Sequence, residues 1–304
     1  MDLINFNDLN KKTFKFGIVG LGLIGGSLAK ALREAFASSI IVGFNRRKEP
    51  RIMAISEKVC DIVTDKIDNS FSGCDYIFLC TPVEYNVDYL KLLKPYAVAD
   101  TIITDAGSTK QRIHEAVCEL DMEEHFIGGH PMAGSEKTGY EFSSAWLFRN
   151  AYYPITPTAK SPKDKVDLLE TIVKLIGAKP VILDPEEHDY AVAGISHLPH
   201  LIAASLTNLI KEKDSTNHMM KKLAANGFKD TTRIAASSPD MWEQICTTNT
   251  DNISSLLEEY ILELTKLNNR LKEKDGEYIH KLFEESREYR NSFGNRLSGN
   301  PNDL

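Results

Sequence analysis

Residues 14–32 read FKFGIVGLGLIGGSLAKAL, and the order of residue types in that stretch decides the fold. Residues 14–19 are a short apolar run of strand length, and residues 27–36 carry a helical pattern. Between them lies Gly20-x-Gly22-x-x-Gly25. A glycine triplet alone occurs in many ordinary loops. Set between a strand and a helix, it allows a tight turn, lets the backbone approach a pyrophosphate closely, and faces the helix N-terminus toward it. Gly20, Gly22, Leu23, Ile24 and Gly25 are therefore expected to hold a dinucleotide.

The pattern continues outward from that unit. Ile40–Phe44 is a second strand candidate, and residues 75–80 and 101–104 are continuous apolar runs, as strands covered by helices on both faces require. Further strands are expected at 126–129, 152–156 and 180–183, with a helix around 163–176. Strand and helix alternating at this spacing predict an α/β, doubly wound Rossmann-type domain over residues 1–183, with 1–13 as a tail. The character changes at Asp184-Pro185. A helix is expected to start there, with Asp184 as N-cap, Pro185 at its first position, and Glu186 and Glu187 placed well against the helix dipole. No convincing strand follows, so residues 184–304 read as a second, all-helical domain.

In that half Ile253, Leu257, Tyr260, Leu264, Leu267 and Leu271 recur at spacings of four and three. This seam fits either an amphipathic helix packed on its own domain or a subunit interface. Asp275-Gly276 breaks the helix before a last helical piece around 278–289, and the Gly- and Asn-rich tail 294–304 is expected to fray.

Composition bounds the function. The 304 residues carry a formal net charge of −7, which argues against nucleic-acid or anionic-membrane partners, although local basic clusters can still take a small anion. The five cysteines, Cys60, Cys74, Cys80, Cys118 and Cys246, are scattered without a C-x-x-C pair, so neither a disulfide framework nor a zinc site is expected. Residues 1–12 are polar and lack a signal-peptide core, and no run is long enough to span a membrane. A cytoplasmic protein is the expectation.

An NAD site usually places an acid about 20 residues past the glycines, on the ribose 2′-hydroxyl. Here strand 40–44 ends in Asn45-Arg46-Arg47. The missing acid removes repulsion against a 2′-phosphate and a guanidinium can grip one, so the cofactor is NAD or NADP with a lean to NADP. The alternative is that Arg46 and Arg47 are solvated and Asn45 itself bonds the 2′-hydroxyl. Thr81-Pro82 and Ser108 each follow a strand and so sit where the cofactor is expected, although a lone serine such as Ser108 reads more readily as a helix N-cap than as a catalytic group.

Residues 128–137, GGHPMAGSEK, hold no helix and put His130 on a loop just past a strand. Removing a hydride from an alcohol needs a base for the hydroxyl proton, and histidine titrates in the right range. His197 and His200 are three apart and share a helix face; without an obvious third ligand they read as pocket lining or a helix contact rather than a metal site. Arg233, in GFKDTTRIA, suits a two-pronged grip on a carboxylate or a surface ion pair.

Taken in order, GIVGLGLIGGSLAKAL, DYIFLCTPV, TDAGSTK, FIGGHPMAGSEKTGYE, ITPT, HDYAVAGISHLPHLIA and GFKDTTRIAASSPDMW resemble the prephenate dehydrogenase family from about residue 16 to 242. The resemblance implies a Rossmann-type domain joined to an all-helical domain that makes a homodimer, which tilts the seam toward an interface. It also implies NAD(P)-dependent oxidative decarboxylation of prephenate, a dianion, to 4-hydroxyphenylpyruvate in tyrosine biosynthesis, with no metal. By motif match His130 corresponds to the catalytic histidine, Ser108 to the serine that assists it, and Arg233 to the arginine on a substrate carboxylate; His197, His200, Ser135 and Glu136 correspond to pocket residues.

No fused chorismate mutase or ACT domain is expected, so any tyrosine feedback would act at the active site or through the dimer. Arogenate dehydrogenase is the nearest rival. A β-hydroxyacid dehydrogenase would need a lysine that residues 188–210 lack. A non-catalytic dinucleotide-sensing dimer would need none of His130, Ser108 and Arg233 together.

Overall fold

The computed structural model describes residues 13–98, 100–134 and 137–293. The expectations for residues 1–12, Ser135, Glu136 and 294–304 fall outside them. The first half runs β1 (Lys15–Val19), α1 (Leu23–Ala35), β2 (Ile40–Phe44), α2 (Lys48–Ser56), β3 (Ile62–Thr64), β4 (Tyr76–Leu79), α3 (Val83–Leu93), β5 (Ile102–Asp105) and α4 (Gln111–Glu119). These five strands form one parallel sheet in the order β3-β2-β1-β4-β5.

The apolar runs are continuous because alternate residues feed two separate cores. Phe16, Ile18, Ile41, Tyr76, Phe78 and Ile102 point into one, and Val19, Val42, Phe44, Ile77, Leu79 and Ile103 into the other. Every one is buried, and complete burial of side chains this large contributes roughly 1.5–3 kcal/mol apiece.

The next strands depart from the expected continuous doubly wound sheet. β6 (Ile127–Gly129), β7 (Tyr152–Pro157) and β8 (Lys179–Ile182), with α5 (Lys163–Leu175) between the last two, make a separate three-stranded sheet. In it β6 runs antiparallel to β7, and a single bridge from Ile103 to Phe126 links it to β5. Two elements had no readable signal. β3 is three residues of partly exposed edge, and Pro50 disguises α2, where a first-turn proline is tolerated.

After Pro185 every described element is helical: α6 (Pro185–Val192), a π-helical turn (Ala193–His197), α7 (Leu198–Lys213), α8 (Met219–Leu223), α9 (Asn226–Thr232), α10 (Pro239–Thr248), α11 (Thr250–Lys272) and α12 (Gly276–Ser292). The caps follow the local chemistry. Asp184 accepts the Glu187 N–H at the start of α6, and Asp275 accepts the Tyr278 N–H at the start of α12.

The chain falls into two compact units, residues 1–253 and 254–304. The first holds both sheets and the helices through α10; the second holds most of α11 and all of α12. In the second unit Leu264 and Leu271 of the apolar seam are exposed, as are Leu262 and Phe283. Among the described residues no helix is long and apolar enough to cross a membrane.

Candidate active site

The glycine loop is shaped by close approach. Gly20 has φ of +101°, and a Cβ there would lie 2.9 Å from the Cys80 carbonyl oxygen and from the Thr81 methyl. A Cβ on Gly25 would lie 1.9 Å from the Gly20 oxygen, so the first turn of α1 can cross the loop only as glycine. Gly22 differs: a Cβ there would meet nothing within 4 Å, and as N-cap of α1 it offers no side chain to the helix. The open space beside Gly22 thus lies at the positive end of the helix dipole, next to the first-turn N–H groups of α1 that no carbonyl of the helix can satisfy, a cradle that fits a pyrophosphate.

At the end of β2, Asn45 donates from Nδ2 to the Leu21 carbonyl (3.1 Å) and accepts the Arg47 N–H on Oδ1 (2.9 Å). Its amide ties the glycine loop to β2. Arg46 and Arg47 are exposed, and the Arg46 guanidinium lies 5.6 Å from the centre of the Tyr85 ring on α3. Thr81 bonds Asn86 at 2.5 Å, and Pro82 is the residue before α3.

Past β5 lies a fully buried ion pair. Lys110 pairs with Asp105 and also donates to the Gly129 carbonyl at 2.8 Å. Asp105 further accepts the N–H groups of Gly107 (2.9 Å) and Gly129 (3.1 Å). The pair therefore fastens the Ser108 loop to the end of β6, one residue before His130. Burial pulls the Lys110 ammonium below its usual value, and the Asp105 carboxylate opposes that pull. The His130 N–H is fixed in turn by the Pro154 carbonyl at 3.0 Å.

Ser108 is not a helix cap. Lys110 occupies the N-cap position of α4, and the orphan N–H groups there are satisfied from another helix: Asp189 accepts Lys110 N–H at 2.7 Å and Gln111 N–H at 2.9 Å. The Ser108 side chain is half-buried and takes no part in that cap.

His130 Nδ1 lies 2.9 Å from His188 Nε2, and His188 Nδ1 lies 2.7 Å from the same Asp189 carboxylate, all three side chains being buried. Burial, then the neighbouring His188, Lys110 and His197, holds the His130 imidazole well below the usual histidine range. It is a neutral ring near pH 7.

The Asn249 amide donates to the Asp189 carbonyl at 2.8 Å and lies 3.2 Å from His197 Nδ1. His197 belongs to the π turn rather than to a regular helix, and burial lowers its pKa to about 4. π turns occur frequently at functional sites. Trp242 of α10 meets His197 edge-on at 5.9 Å and stacks on His200 at 4.0 Å. His200 is lowered by burial, and the positive charge of Arg233 adds to that; Arg233, exposed, opens a short helical turn, Arg233–Ala236, that packs on α7, the helix carrying His200. His197 and His200 spend their Nδ1 atoms on Asn249 and the Ser196 carbonyl, and among the described residues no group of three or more His, Cys, Asp or Glu could hold a metal.

One cluster thus brings together His130, His197, His200 and Arg233, with Ser108 on the adjoining loop; Ser135 and Glu136 lie outside the described residues. Sequence reasoning missed Asp105, Lys110, His188, Asp189, Trp242 and Asn249. Five of these six sit inside the motifs quoted above. Their residue types were visible, but nothing in the spacing said they converge.

Comparison with known proteins identifies the family of the chain. Residues 28–182 match the family described as "Prephenate dehydrogenase, nucleotide-binding domain", and residues 184–285 match "Prephenate dehydrogenase, dimerization domain". The chain is similar to the prephenate dehydrogenase of Bacillus subtilis, at 36% identity over 93% of this chain and 76% of that one. It is similar in structure to the Aquifex aeolicus prephenate dehydrogenase solved with hydroxyphenyl propionate and NAD+ (TM-score 0.87, 30% identity, 93% of this chain and 99% of that one). It also resembles the Synechocystis arogenate dehydrogenase (TM-score 0.80, 31% identity, 92% of this chain and all of that one). With both halves matched and such relatives aligned over most of its length, the chain belongs to the prephenate dehydrogenase family of NAD-type oxidoreductases.

Proposed function

We propose that this chain oxidatively decarboxylates prephenate to 4-hydroxyphenylpyruvate, with His130 as the base. The observation that carries the proposal is a buried histidine just past β6, hydrogen-bonded through His188 to Asp189, with an arginine on a turn packed against the helix of His200. The nicotinamide of a bound dinucleotide supplies the hydride acceptor. His130 takes the carbinol proton as the hydride departs, so the forming carbonyl does not build up a full positive charge. Ser108, on the loop clamped to His130 by Asp105 and Lys110, shares that hydroxyl. Loss of carbon dioxide then makes the ring aromatic and drives the step forward.

Arg233 binds a substrate carboxylate, supplying locally the positive charge that a chain of net −7 otherwise lacks. His197 and His200 line the pocket. Gly20, Gly22, Leu23, Ile24 and Gly25 hold the pyrophosphate, with Thr81 and Pro82 beside it. Asn45 is occupied by the Leu21 carbonyl and the Arg47 N–H, which leaves Arg46 and Arg47 as the groups to meet a ribose 2′-phosphate and supports the lean to NADP. The division of labour falls near residue 184, between a dinucleotide-binding part and a helical part that makes the homodimer. The exposed apolar seam on α11 supports that assembly. All five cysteines are free thiols, which supports a reducing, cytoplasmic compartment.

The test is the absorbance of reduced nicotinamide, with prephenate or arogenate and with NAD or NADP. Turnover of prephenate is the expected result; turnover of arogenate alone moves the substrate to its amino analogue, and no signal with either overturns the proposal. A strong preference for NAD would end the lean to NADP.

A further inference from the structure

His130 does not stand alone: a buried chain of hydrogen bonds runs behind it, and its chemistry has a direction. Asp189 can only accept, so the proton between it and His188 belongs to His188 Nδ1 (2.7 Å). A neutral His188 then offers a bare Nε2 toward His130 (2.9 Å), and His130 must donate from Nδ1. The lone pair of His130 is thereby placed on Nε2, the ring nitrogen that no described residue engages.

We propose that His188 and Asp189 are positioning residues that lock His130 in its Nδ1–H tautomer and carry away the positive charge it acquires during turnover.

The proton account closes. The substrate hydroxyl proton forms a bond to His130 Nε2, and the His130 Nδ1 proton passes to His188 Nε2. His130 ends neutral, and the imidazolium is His188, beside the Asp189 carboxylate. Return of that proton by the reverse path resets the base. The carboxylate takes no proton in this account and keeps the Lys110 and Gln111 N–H groups at the N-terminus of α4.

The groups facing His130 explain why such a sink is useful. Lys110 approaches from the loop before α4 and His197 from the π turn, and each opposes a proton on His130, whereas the bare Nε2 of a neutral His188, from α6, accepts one. Asp105 is committed to Lys110 and to two glycine N–H groups. Asp189 is the carboxylate bonded to the imidazole chain itself. Asn249 holds it from behind through its backbone carbonyl. The rings of His130 and His188 meet at 67° with centroids 5.1 Å apart, an edge-on arrangement that a nitrogen-to-nitrogen hydrogen bond requires.

This inference rests on His130 being the base, and the experiment separates the two. In full-length protein labelled with nitrogen-15 at histidine, the two-bond correlations of the His130 ring should show the proton on Nδ1 at pH 7.5, whatever the enzyme turns over. Asp189→Asn should lower kcat by up to about 10⁴-fold, the scale of loss when the carboxylate that fixes a catalytic imidazole's tautomer becomes an amide, with the KM for the dinucleotide unchanged. It should also move the acidic limb of the kcat/KM profile to lower pH, because a protonated relay loses its counter-charge. A merely structural carboxylate would not move that limb.

His188→Gln keeps an acceptor near the Nε2 position, so it should retain about tenfold more activity than His188→Ala. A His130 proton on Nε2, an unmoved limb in Asp189→Asn, or His188→Ala within twofold of the parent protein overturns the relay. Retained turnover in His130→Asn instead overturns the proposed function and leaves the tautomer result standing.

Discussion

Replacing Lys110 with Met gives the sharpest test of how this site is held. Lys110 and Asp105 are both fully buried, and the ammonium serves the Asp105 carboxylate and the Gly129 carbonyl at once. Methionine fills nearly the same volume, so cavity formation contributes little. What remains is an uncompensated carboxylate with only the Gly107 and Gly129 N–H groups for company. Removing one partner of a buried pair costs about 3–5 kcal/mol. At roughly 2–4 °C per kcal/mol for a domain of this order of size, the melting temperature should fall by about 10 °C. The assay is urea unfolding of the parent, Lys110→Met, Asp105→Asn and the double variant. Because Asp105→Asn removes the orphaned charge, the double variant should recover at least about 2 kcal/mol relative to the sum of the singles. Additivity within about 0.5 kcal/mol, or an unchanged midpoint in Lys110→Met, would refute the reasoning.

The other expectations are more direct. His130→Asn should lower kcat by a factor of about 10²–10⁴, the usual contribution of a general base, while the dissociation constant for the dinucleotide, read by reduced-nicotinamide fluorescence, stays put. Arg233→Ala should raise the KM for prephenate by roughly 10- to 100-fold, since a hydrogen bond to a charged group contributes about 1.5–3 kcal/mol. Gly22→Ala, with open space at its Cβ, should weaken dinucleotide binding without changing the melting temperature, whereas Gly25→Ala, at 1.9 Å from the Gly20 oxygen, should lower both. Stability should also fall with acid. His114 and His197 are both pushed by burial to about 4, against about 6.5 in the unfolded chain. Their stabilising effect is full above pH 6.5 and is lost as pH drops from there toward 4, because only the unfolded state takes up protons in that window. A His114→Gln variant with the same pH slope as the parent would count against this.

The strand and helix register of the first half was legible because its causes are local. Alternate residues of 76–79 supply two cores, and the glycines at 20, 22 and 25 are required by crossings only a few residues apart in sequence. The cap at Asp184 could be read for the same reason, and so could the break at Asp275-Gly276, though not that Asp275 caps the helix that follows. His130, Ser108 and Arg233 could be named from their motifs, but not their partners. Periodicity gave β3 and α2 no voice either, one being too short and the other carrying Pro50 near its start.

Sequence by itself therefore determined a glycine-loop Rossmann-type sheet, a helical second half, and the residue types available for chemistry. Tertiary structure alone decided that Asp189 caps α4 from 79 residues away and that His188 stands 58 residues from the histidine it bonds. It also decided that Asp105 and Lys110 bind the two loops of the site into one piece. The physical reason is that adjacent residues such as His188 and Asp189 share no helix face, so no spacing rule couples them. Only the packing of α6 against the end of the sheet brings their polar atoms into line, in a buried place where every such atom must find a partner.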